Sequence, residues 1–98
     1  MMFSCREIQS GKGTIVAACD AAILGDEYTE GGVTLTVDED FYGGEEVGLD
    51  AVIAALDGFF TANLVGNELL DGLIAEGVVD EAEVGAVDGV RHVQLFRV

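Results

Sequence analysis

Lysine occurs once in these 98 residues, histidine once and cysteine twice, and each scarcity closes off a kind of chemistry. Two cysteines and one histidine fall short of the four ligands of a structural zinc site, so neither a metal nor another cofactor is expected; a carboxylate or water would have to complete one. No apolar run approaches the roughly 20 residues of a membrane-spanning helix. The N-terminus also lacks the charged flank and long apolar stretch of a signal peptide. The expectation is a soluble, cytoplasmic chain without a membrane partner, in which Cys5 and Cys19 are free thiols. The phosphate-binding loop is missing too. "SGKGT" places Gly13 after Lys12 and Arg6 where the pattern needs its first glycine, and a strand follows instead of a helix.

What is abundant is negative charge. Asp and Glu outnumber Lys and Arg by 19 to 4, giving a formal net charge of −15, while half of the chain is hydrophobic. Self-repulsion of this size destabilises a compact state in dilute buffer. It becomes tolerable when the Debye length shrinks to about 3 Å at 1 M salt. An acidic, lysine-poor surface around an ordinary core therefore points to a cytoplasm of molar salt. The alternative is an acidic protein that binds a cationic partner.

The apolar residues fall in periodic blocks, which argues for one folded domain over residues 1–98. "MMFSCREI" and "TIVAAC" read as strands, the second with Ile15, Ala17 and Cys19 on one face, joined by a hairpin turn at "QSGKG". "DAAILGDEY" reads as a helical turn ending near Gly25, and "GGVTLTVDED" as a half-buried strand. "FYGGEEVG" reads as a loop. "LDAVIAALDGFF" spaces Leu49, Val52, Ile53, Leu56, Phe59 and Phe60 as a helix, "TANLVG" links it to a second helix, and Asn67 is the expected N-cap of "NELLDGLIAEG". "VVDEAEVGAVDG" reads as a charged connector with a short strand at its start, and "VRHVQLFRV" as the last strand, its arginines set opposite Val93 and Leu95. The fold class is α+β: a mainly antiparallel sheet holding the N- and C-terminal strands, covered on one face by a central helical pair.

All four cations, Arg6, Lys12, Arg91 and Arg97, lie in the first twelve or last eight residues, whereas residues 13–90 hold eighteen acids and neither lysine nor arginine. If the terminal strands are neighbours, one surface is locally basic. Arginine offers a planar fork of donors suited to phosphate, and His92 can stack on a base or donate a hydrogen bond. Pairing with nearby carboxylates is the plainer role for these residues. Phe41 and Tyr42, before Gly43-Gly44, are either an exposed recognition edge or plugs of the core. An enzyme would need a pocket around Asn63 and His92, with Cys19 as nucleophile or ligand, although no catalytic signature joins them.

"VAACDAAILG", "DEDFYGGEEV", "TANLVGNELLDGLIAEGVVD" and "DGVRHVQLFRV" together resemble a family of small archaeal proteins known as domain of unknown function number four-twenty-four. The resemblance runs over nearly the whole chain. Gly89, His92 and Gln94 match the family's glycine-x-proline-histidine-alanine-glutamine run, while Arg91 stands in place of its proline and Val93 in place of its alanine. The resemblance implies an archaeal cytoplasmic protein and supplies no activity or catalytic residue. A loose association with translation genes implies RNA, the ribosome or a translation protein as partner. The readings are then a non-catalytic binding module using Phe41, Tyr42, Arg91, His92 and Arg97 with Arg6 and Lys12, a small enzyme, or a structural homodimer subunit.

Overall fold

A long hairpin opens the chain. β1 (Phe3–Ser10) and β2 (Gly13–Asp20) pair antiparallel from Phe3↔Asp20 to Ser10↔Gly13, turning at Gly11-Lys12. The computed structural model describes residues 2–97; the strand-like readings of Met1 and Val98 lie outside them. A 3-10 turn at Ala21–Ile23 leads to a second hairpin, β3 (Glu27–Glu30) and β4 (Val33–Thr36). Its turn residues Gly31 and Gly32 both have positive φ, as a two-residue turn matched to strand twist requires. One helical turn follows, α1 (Glu39–Tyr42), whose N-cap Asp38 accepts from the Asp40 amide at 2.9 Å.

The segment read as the loop "FYGGEEVG" thus holds a helical turn and a short edge strand, β5 (Glu45–Val47). After it come α2 (Leu49–Ala55), β6 (Thr61–Val65), α3 (Asn67–Ala75), a 3-10 turn at Glu81–Glu83, β7 (Gly85–Val87) and β8 (Val90–Phe96). The main sheet runs β5-β1-β2-β6-β8-β7, antiparallel except for the central β2–β6 pair. The fold is α+β with an antiparallel-dominated sheet, as the sequence predicts.

Helices α2 and α3 cover one face. Val52, Leu56, Leu69, Leu70 and Leu73 pack there on Phe3, Val16, Ala18, Ala62, Leu64 and Val93. Gly72 lets the two helices approach, since a Cβ at that position would lie 2.8 Å from Leu49 Cδ2. The opposite face carries a smaller core of Ala17, Cys19, Val37, Tyr42 and Val65, roofed by α1 and the β3–β4 hairpin.

Further local expectations change. "TANLVG" is the central strand β6, because Ala62 and Leu64 bury on the helical side while Val65 buries on the other. This insertion, with β2, separates β1 from β8, so the terminal strands are not neighbours. The first helix stops at Ala55, and Gly58 turns the chain in the left-handed region at φ +86°. The short strand of the charged connector lies at its end, as β7.

The N-cap position of α3 is Gly66, not Asn67. The cap itself comes from far in sequence: the buried Asp20 carboxylate accepts from the amides of Glu68 at 3.1 Å and Leu69 at 2.8 Å. Gly66, at φ +123°, makes room, because a Cβ there would meet Asp20 Cγ at 2.4 Å.

Candidate nucleic-acid interface

A strand shows side chains to its two faces in turn. Arg91, Val93, Leu95 and Arg97 therefore share the helical side of the sheet, while His92, Gln94 and Phe96 share the other. The sequence reading that set the arginines opposite Val93 and Leu95 is corrected by this parity. Arg91 is tied into the fold. Its Nη2 pairs with Asp71 Oδ1 and donates to the Asn67 carbonyl at 2.8 Å, and its Nε donates to Asn67 Oδ1 at 3.0 Å. Asn67 in turn donates to the Gly89 carbonyl at 2.9 Å. Arg91 is a clamp between β8 and α3, with its fork already engaged.

The other three cations are disposed differently. Arg6 lies on the non-helical face and donates through Nη1 to the Asp40 carbonyl. Lys12 is exposed at the β1–β2 turn. Arg97 continues the ladder beyond β8, its amide donating to the Phe60 carbonyl at 3.0 Å, and its guanidinium carbon sits 4.9 Å from the centre of the Phe59 ring. Among the described residues, Arg91–Asp71 is the one ion pair.

The roof over the second core stops short: Ala17 lies fully buried at its edge, and beyond it the non-helical face is partly open. Register places Arg6, Ala17, Asn63 and Gln94 in one cross-strand row, and Ile8, Ile15, Thr61 and Phe96 in the next. Ile8, Ile15 and Phe96 belong to neither core, and Phe96 is 66% exposed. None of these eight residues is acidic, although 18 of the chain's 19 carboxylates are exposed elsewhere. The open area thus offers an aromatic ring, two amides, a hydroxyl and an arginine on a partly apolar floor.

At the end of the sheet the chain turns at Gly58. There an open cleft of about 330 Å³ is lined by Lys12, Gly13, Gly58, Phe59, Phe60 and Arg97. Sequence reasoning missed it because its residues come from three separate segments. The signal available was "GFF" beside the terminal cations, once β6 is recognised as a strand.

The remaining candidates are dispersed. Phe41 and Tyr42 meet edge-to-face at 5.0 Å in the second core, and Ser4 Oγ donates to the Tyr42 carbonyl at 2.8 Å, so the pair plugs the roof. His92 packs beside Gly85, where an added Cβ would come within 3.2 Å of its ring. Asn63 and His92 share a face but pair with different partners, Gln94 and Val65. Cys19 is fully buried, and burial, helped by the Asp20 charge, pushes its thiol up to about 12. The thiolate needed for attack is thereby suppressed. These three residues line none of the open clefts described in the molecule, the other two lying beside Cys5 and beside Leu49. Among the described residues no helix is long and apolar enough to cross a membrane, and no three His, Cys, Asp or Glu side chains are grouped to hold a metal.

Comparison with known proteins places the chain among proteins described as uncharacterized. No curated protein matches the chain. The fold is similar to the crystal structure of an uncharacterized conserved protein from Methanopyrus kandleri, at 26% identity and a TM-score of 0.81, over 98% of this chain and 91% of that one. The family model described as "Protein of unknown function (DUF424)" matches residues 8–98, and the chain belongs to that family.

Proposed function

We propose that this protein is a non-catalytic binding module that holds single-stranded RNA, free or displayed on a ribosome, across the open part of the non-helical face of its sheet. The observation that carries this reading is the pair of cross-strand rows without an acidic side chain, ending at exposed Phe96, on a chain of net charge −15. At contact distance a phosphate meets exposed carboxylates over the rest of the surface and none in these rows. Bases stack on aromatic rings irrespective of their identity, at about 1–3 kcal/mol per base. Asn63 and Gln94 supply donors and acceptors to base edges, and Arg6 contributes charge at the far end of the row. In molar salt the Debye length of about 3 Å removes most long-range attraction and repulsion. Stacking and hydrogen bonds then supply the affinity, which fits a face rich in amides and poor in cations.

Fluorescence anisotropy with labelled RNA of about eight nucleotides, within the 4–16 that one small stacking sheet covers, tests this in molar KCl. Phe96→Ala is expected to weaken binding about tenfold, the equivalent of roughly 1.4 kcal/mol. Arg91→Ala, a clamp variant, is expected to lower stability while leaving affinity unchanged in the folded protein. Binding indifferent to Phe96→Ala refutes the reading. A concentration-dependent dimer that Phe96→Ala dissociates would instead assign the face to a second copy of the chain.

A further inference from the structure

We infer that the cleft at the end of the sheet is a ligand site in its own right, built for a nucleoside monophosphate, either free or as the phosphorylated end of a strand. It lies on the helical side, around the end of β8 from the open face, since Phe96 and Arg97 point to opposite sides of the sheet. Its six lining residues, Lys12, Gly13, Gly58, Phe59, Phe60 and Arg97, include two of the four cations and two of the five phenylalanines in the chain. No lining residue is acidic, and Asp57, the adjoining acid in sequence, stays outside.

The composition fixes the ligand's chemistry. Half-buried Phe59 and Phe60 give an apolar, aromatic wall. Gly13 and Gly58 give walls of bare backbone against which a flat ring can lie. Their φ values, +142° and +86°, lie where side chains are strained. At Gly13 a Cβ would also press to 2.9 Å from Phe60 Cβ. Arg97 stacks over Phe59, which fixes its guanidinium while leaving its edge able to donate. Two cations match one terminal phosphate, which carries about −1.5 to −2 at neutral pH. A di- or triphosphate would exceed the charge the cleft can neutralise. The volume of about 330 Å³ lies at the lower end of small-molecule sites and admits one nucleotide.

The test is a titration of the full, ¹⁵N-labelled chain in molar KCl with adenosine and uridine monophosphates and with the matching nucleosides. The monophosphates are expected to shift the amides of Gly13, Gly58, Phe60 and Arg97, and the nucleosides to bind at least about tenfold more weakly. Lys12→Gln with Arg97→Gln is expected to abolish that difference while the core resonances stay in place. No shift at these amides, or equal affinity for nucleoside and monophosphate, overturns the inference. Oligonucleotides with and without a terminal phosphate then separate the two sources. A gain from the phosphate that Lys12→Gln removes assigns the cleft to strand ends, whereas response to mononucleotides alone assigns it to free nucleotide. Failure of the open face is a distinct outcome: oligonucleotide binding then ignores Phe96→Ala, and the monophosphate result is unaffected.

Discussion

At the end of β2, two adjacent buried residues meet opposite chemistry. Cys19 points into the small core without a hydrogen-bonding partner for a thiolate, so the fold favours its neutral form, with the thiol raised from 9.0 to about 12. A group whose folded value is raised holds its proton more tightly in the native state, so its contribution is complete below the unfolded value and is lost as pH climbs. The expected result is a melting temperature that falls between about pH 9 and pH 12, with Cys19→Ala flattening part of that fall. Tyr42, also raised by burial, supplies another part at higher pH. Scanning the melting temperature from neutral to alkaline pH in both proteins checks this, and identical profiles would refute it. The same residue shows why the chemistry of a site was hard to read from composition. Cys19, His92 and Asn63 are the residue types enzymes use, but reactivity belongs to surroundings, and only packing reveals that the thiol is suppressed.

Helix α3 shows what an element needs from a distance. Its first amides are satisfied by Asp20, 48 and 49 residues away in sequence, in a position where an anion also complements the positive end of the helix dipole. Asp20→Ala is expected to cost about 0.5–2 kcal/mol, the usual worth of an N-cap. Asp20→Asn should retain most of that, because an amide oxygen still accepts. Chemical denaturation of the three proteins checks the order, and equal losses in both variants would contradict the capping role. The two main helices, the first hairpin and the terminal strand were legible because periodicity and turn glycines are local signals. β3 and β7, at four and three residues, were too short to show a period, and their hairpins went unread. Nor was β6 legible. Its five residues offer too few positions to separate a strand from a linker, and what makes it a strand is burial between β2 and β8. With β6 unread, the neighbours of the terminal strands could not be placed either, and the pairing of Arg91 with Asn67 and Asp71 was out of reach.

The whole molecule is a ledger of charge with one surface left out. Every acid but Asp20 is exposed, and few cations stand among them. Even α3 has no basic residue in its last turn and is capped at its C-terminus by Glu76, against the preference of its dipole. Such a surface has a specific response to salt. Between about 0.1 M and 1 M the Debye length falls from about 10 Å to about 3 Å, and repulsion among surface carboxylates is screened within that interval. Each kcal/mol of repulsion removed raises the melting temperature of a domain of this size by about 4–8 °C. A steep rise is therefore expected on adding KCl to about 1 M, with a shallower slope beyond, where the remaining gain comes from strengthened apolar burial. Circular dichroism melts across that range distinguish the terms: a straight line through molar salt would assign the effect to burial alone, and a flat one would refute salt adaptation. A charge-neutralised variant sharpens the measurement. Glu81→Gln with Glu83→Gln, both exposed in the 3-10 turn before β7, should melt higher than the parent in dilute buffer and match it in molar KCl.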